Sequence, residues 1–150
     1  MRKSFVISFL LAVIMAFALK SLAQDNDSRR IPSNKELVSN ARTICVQSDT
    51  IHMRRENLES TLMGKDEVKA WDIQFTGRPE LADLVIRVRR TPLYRTHFTY
   101  TVSDRVTDTI VMAGKVDSIN GVAYGLIADE IVDKMKAFRG DPAKTTTAQK

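Results

Sequence analysis

The sequence predicts an α+β fold: a two-layer sandwich in which a mixed sheet with an antiparallel three-stranded meander carries its helices on one face, in the order β-α-β-β-β-β-α. Three observations predict it. Residues 84–90 and 97–103 alternate apolar and polar with period two, the pattern of strands with one packed and one wet face. Residues 109–116 add a third apolar run after the polar turn 104–108. Between Val122 and Phe138, Ile127, Ile131, Met135 and Phe138 recur at helical spacing, with Asp129, Asp133, Lys134 and Lys136 on other faces and Gly140 past the end.

The other elements follow in chain order. Arg42-Thr43-Ile44-Cys45-Val46-Gln47 is short, rich in β-branched residues and closed by Ser48-Asp49, which predicts a strand inside the sheet. Residues 54–63 carry Leu58 and Leu62 four apart and stop at Gly64, an amphipathic helix. Val68 and Trp71, three apart, make 66–71 a further helical turn; 72–76 reads as a short strand and 77–83 as a turn. In the meander, Val88 opposite Phe98, Ile86 opposite Tyr100 and Leu84 opposite Val102 keep six apolar side chains on one face. Arg89 then faces His97, and a one-residue slip mixes the faces.

Met1-Arg2-Lys3 precede an apolar run from Phe5 to Leu19 interrupted only by Ser8, and Ser21 and Ala23 are small residues three and one before a cut. Residues 1–23 are therefore expected to be a secretory signal peptide cleaved between Ala23 and Gln24, which makes the working protein periplasmic or secreted. The run is shorter than the roughly 20 apolar residues of a spanning helix, so no stable membrane anchor is expected after cleavage. Gln24 stands where a bacterial lipoprotein carries its lipidated cysteine. Residues 24–40 are expected to be a flexible N-terminal linker, 41–140 a single α/β domain and 141–150 a disordered tail.

Charge and cysteine content narrow the chemistry. The leader holds Arg2, Lys3 and Lys20 and no acid, so cleavage lowers the net charge from +5 to +2 and leaves no warrant for nucleic-acid binding. The single cysteine, Cys45, forms no internal disulfide and is expected to be buried as a small hydrophobe in its apolar strand. His52 and His97 lack the spacing of a zinc site, and the six glycines are scattered rather than gathered into a phosphate loop or a serine elbow. Gly121 and Gly125 flank helical residues, where they allow close packing. Asp129, Glu130 and Asp133 read as a solvated helix face beside Lys134 and Lys136 rather than a calcium site. No catalytic residue, metal or cofactor is expected.

The candidate interaction surface is one basic hairpin: Arg87, Arg89, Arg90, Tyr94, Arg95 and His97. Its bland reading is a set of solvated charges that keep an open sheet soluble and protect it from edge pairing.

From Ile44 to Phe138, the early strand and helix, the approach Leu81-Ala82-Asp83-Leu84-Val85-Ile86 into a meander, and the closing helix resemble small exported bacterial domains related to the N-terminal domain of TolB. The layout is similar to the core of the curli secretion channel protein and to the lipoprotein activators of penicillin-binding proteins. The resemblance implies a noncatalytic binding domain of the cell envelope with a protein partner. The alternatives are a small periplasmic hydrolase or transferase around His97 and Asp104, and an anion or envelope-polymer binder using the arginine hairpin on a polyanion.

Overall fold

The structure, a computed structural model, describes residues 32–50, 53–91, 97–118 and 123–142. The expected leader, His52, Tyr94, Arg95, Gly121 and the tail beyond residue 142 lie outside the described residues.

The first helix, α1 (Asn34–Asn40), is set by a capping box: Ser33 Oγ accepts the Glu36 amide at 3.3 Å, and the Glu36 carboxylate accepts the Ser33 amide at 2.8 Å. Val38 is its fully buried residue. Residues 34–40 are thus helix, which corrects the linker expected over 24–40. One apolar turn is too little pattern to register, and the group that holds the C-terminus comes from the far end of the chain. Arg139 donates to the carbonyls of Val38 and Ser39 at 3.0 Å each, and to that of Ala41.

The chain continues as β1 (Thr43–Ser48), α2 (Arg55–Met63), α3 (Asp66–Ala70), β2 (Gln74–Phe75), a 3-10 turn (Pro79–Leu81), β3 (Leu84–Arg90), β4 (His97–Asp104), β5 (Ile110–Asp117) and α4 (Tyr124–Arg139). The sheet order is β2-β1-β3-β4-β5. β1 runs parallel to both neighbours, and β3, β4 and β5 form the antiparallel meander. The α+β class with a mixed sheet is therefore as predicted, with one more helix at its start. β2 is shorter than the strand expected over 72–76, because Asp72 turns through the left-handed region at φ 54° directly after α3.

One apolar cluster joins the helices to a single face of the sheet. Val38, Leu58, Leu62, Val68, Ile127, Ile131 and Met135 from the helices pack with Ile44, Val46, Leu84, Ile86, Val88, Phe98, Tyr100 and Val102 from the strands. Burial of each such side chain stabilises by about 1.5–3 kcal/mol. Cys45, Val85 and Ala82 form a small separate cluster to which no helix contributes a buried residue.

The meander register differs from the expectation by two residues. Val88 pairs with Tyr100, Ile86 with Val102 and Leu84 with Asp104, so Arg89 faces Thr99 instead of His97. A slip of two leaves every side chain on its face, so alternation does not choose between the two registers. Backbone bonds at both ends of the pair do: the Thr91 amide donates to the His97 carbonyl and the Arg105 amide to the Asp83 carbonyl, each at 3.0 Å. Asp104, which accepts the Thr107 amide at 2.7 Å and hydroxyl at 2.8 Å, ends β4 one residue further than predicted. A bulge between β4 and β5 then turns both Val111 and Met112 inward.

Asp83 clasps the starts of β1 and β3. Its carboxylate accepts the amides of Arg42 and Thr43 at 2.7 and 2.9 Å and the Thr43 hydroxyl at 2.9 Å. Burial on its own would raise this carboxyl, but those three donors and the charge of Arg105 outweigh it and hold the pKa below the ordinary carboxylate range.

Candidate functional site

Cross-strand pairing decides what is carried by the sheet face on which none of the described helices packs. Gln47, Arg87, Thr101 and Ala113 align in one row, and Arg89, Thr99 and Lys115 in the next, with His97 beside Asp117 at the end. Arg87, Arg89, Ala113 and Lys115 are exposed; Thr99 and Thr101 lie half-buried between them.

The predicted basic set divides over this geometry. Arg87, Arg89 and His97 share the open face. Arg90 does not: alternation places it with Ile86 and Val88, opposite Phe98, on the helix-covered side. Tyr94 and Arg95 lie outside the described residues.

Each base on the face meets a polar neighbour. Arg87 Nε donates to Gln47 Oε1 at 3.2 Å and its Nη1 lies 3.5 Å from Asp108; Arg89 Nε donates to Asp49 at 3.2 Å. His97 Nδ1 meets the Asp117 carboxylate, which also lies 4.0 Å from Lys115. Exposed pairs of this kind contribute only about 0–1 kcal/mol, so a partner's carboxylates can take the place of Asp49 and Asp108 at little cost. Asp49 and Asp108 sit in turns, where no periodicity marks them; Thr99 and Thr101 were legible from the alternation of 97–103.

The β5 edge of the sheet is guarded. On β5, Asn34 Nδ2 donates to the Val111 carbonyl at 3.5 Å and Lys134 Nζ to that of Ala113. Side chains that occupy edge groups in this way oppose strand addition at β5.

Neither a protein-family model nor a curated protein matches the sequence. Among solved structures, the chain is similar to a PelC dodecamer from Paraburkholderia phytofirmans, with 14% identity over 64% of this chain and 86% of that one and a TM-score of 0.37. The functional reading rests on this chain's own geometry.

The pairing of His97 with Asp104 loses its geometry. His97 and Asp104 sit at opposite ends of β4, roughly 23 Å apart at about 3.3 Å of rise per residue. The Asp104 carboxylate is also buried and engaged by Thr107. Cys45 is 1% exposed. Burial first, then the charges of Glu59 and Glu80, push its thiol up against the pull of Arg55, away from the reactive thiolate. Sequence reasoning missed the open groove of about 560 Å³ beside it, lined by Cys45, Gln47, Asp49, Arg55, Glu56 and Gly77 among others.

The acids of α4 are met by lysines: Asp129 by Lys65, Glu130 by Lys134 at 2.7 Å, and Asp133 by Lys136 at 3.6 Å. Among the described residues no cluster of three metal-binding side chains forms, and no helix is long and apolar enough to cross a membrane.

Proposed function

We propose that this chain is an exported, noncatalytic binding module of the bacterial cell envelope, and that it docks an acidic protein surface on the open face of its sheet. The observation that carries the reading is the sheet face on which none of the described helices packs, where Arg87, Arg89 and Lys115 rise from rows of threonine and their described acidic partners lie at the rim. Replaceable ion pairs favour exchange for a partner's carboxylates. The leader-like N-terminus and the likeness of the element order to envelope binding domains support the compartment.

The test is capture from envelope extract by the purified protein, with two double variants beside it. Arg87→Ala/Arg89→Ala is expected to lose a protein that the wild type retains, while Lys35→Ala/Lys69→Ala, on the helical side, retains it. Retention of the same protein by the arginine variant overturns the face assignment. Captured material that is a polymer rather than a protein, and that is released by moderate salt, favours the polyanion reading instead.

A further inference from the structure

At the end of the sheet where β1 begins, opposite the basic hairpin, three helix C-termini meet around two arginines. Arg139, the last residue of α4, spends Nε and Nη2 on the carbonyls that end α1. Its guanidinium carbon sits 5.5 Å from the centroid of the Trp71 ring, stacked as a cation on an aromatic face. Arg42 reaches the same place from the start of β1, with Nη1 on the Trp71 carbonyl at 3.1 Å. Between them lies a pocket of about 240 Å³ lined by Ser39, Arg42, Ala70, Trp71 and Arg139.

No carboxylate lines this pocket, and among the described residues neither arginine makes an ion pair. Asp83, the nearest acid in sequence to Arg42 that bonds it, takes the backbone amide rather than the guanidinium. Arg139 Nη1 is buried with no hydrogen-bond partner. Two full charges thus face the partial charges of carbonyls, about half a charge per helix end, which leaves the site positive. Burial and then the neighbouring Arg42 both act to lower the Arg139 pKa, the mark of a cation placed beside a cation.

We propose that this pocket is a binding site for a small oxyanion, a phosphate or carboxylate group held between the Arg42 and Arg139 guanidiniums against the Trp71 indole. The fork geometry of guanidinium suits the paired oxygens of either group, and the indole wall admits the apolar stem that carries it. The site is separate from the open sheet face and does not depend on that reading.

Trp71 is the single tryptophan of the chain, so its fluorescence reports on this pocket alone. Purified protein is titrated with inorganic phosphate, with acetate, and with chloride at matched ionic strength. A saturable change with phosphate, acetate or both, absent with chloride, is the expected result, and the anion that saturates at lower concentration identifies the group. Arg42 is exposed and tolerates replacement, so Arg42→Gln is expected to keep the wild-type circular dichroism and Tm while weakening binding by at least about tenfold, the loss of a charge-assisted pair. Arg139→Lys, which keeps the charge and removes the fork, is expected to weaken it as well. Absence of saturation with both oxyanions, or saturation that Arg42→Gln leaves unchanged, overturns the proposal.

Discussion

Asp83 shows how one side chain links sequence, fold and pH response. It lies in the Ala82-Asp83-Leu84 stretch that marks the approach to the meander, and its carboxylate ties two parallel strand starts through the Arg42 and Thr43 amides. Its native pKa lies below its unfolded value, so the stability it contributes is complete above the ordinary carboxylate range and is lost as pH falls through that range toward the native pKa. Asp83→Asn is expected to cost about 1–2 kcal/mol at neutral pH, the low end for a charged acceptor because the group is open to water. Urea denaturation of both proteins checks this: the difference should shrink on going down to about pH 3, and a difference that is constant with pH excludes the clasp. Alternation and composition made the strand around Asp83 legible, but its partners lie about forty residues away and no local pattern names them.

Between elements, Gly114 marks a close approach within the meander and to α4. Gly114 on β5 stands against the Tyr100 ring of β4, and a Cβ there would lie 2.4 Å from a ring carbon and 2.5 Å from the Glu130 carboxylate of α4. The absence of a side chain lets Tyr100 lie flat and fully buried under the helix, with Lys134 5.3 Å from its centroid. Gly114→Ala is expected to destabilise by about 1–3 kcal/mol through overpacking, seen as a lower urea midpoint with unchanged slope; an unchanged midpoint would show that the helix has room to shift. The period-two pattern identified the strand and the helical spacing identified α4. Neither showed that a glycine sits under their crossing, because that requirement comes from the distance between layers.

Among the described residues, the sheet has one face covered by helices, a second face on which Arg87, Arg89 and Lys115 stand exposed, and a guarded β5 edge. Asn34 and Lys134, from α1 and α4, occupy carbonyls along the outer edge of β5. Removing both in Asn34→Ala/Lys134→Ala frees that edge for pairing with another copy, and self-association should rise at a concentration where the wild type stays monodisperse. Light scattering across a concentration series checks this, and identical curves would show that the edge needs no guard. The same layout explains why the basic hairpin divides: a sheet covered on one side sends alternate arginines to opposite environments, Arg87 and Arg89 to water and Arg90 toward the helices.

The sequence by itself determined the elements, their faces and the α+β class, since periods of two and 3.6 are written locally wherever a strand or helix buries one side. Tertiary structure alone decided the rest. It set the meander register, because a slip of two residues preserves every face and the backbone bonds that bracket β3 and β4, Thr91 to His97 and Arg105 to Asp83, belong to one register. It tied the C-terminus of helix 34–40, whose Ser33–Glu36 capping box is written locally, to the Arg139 fork, and it separated His97 from Asp104 along one extended strand. It also brought Arg42, Trp71 and Arg139 to one pocket from three separate parts of the chain, a proximity that arises when helix ends converge over a sheet and leaves no trace in local spacing.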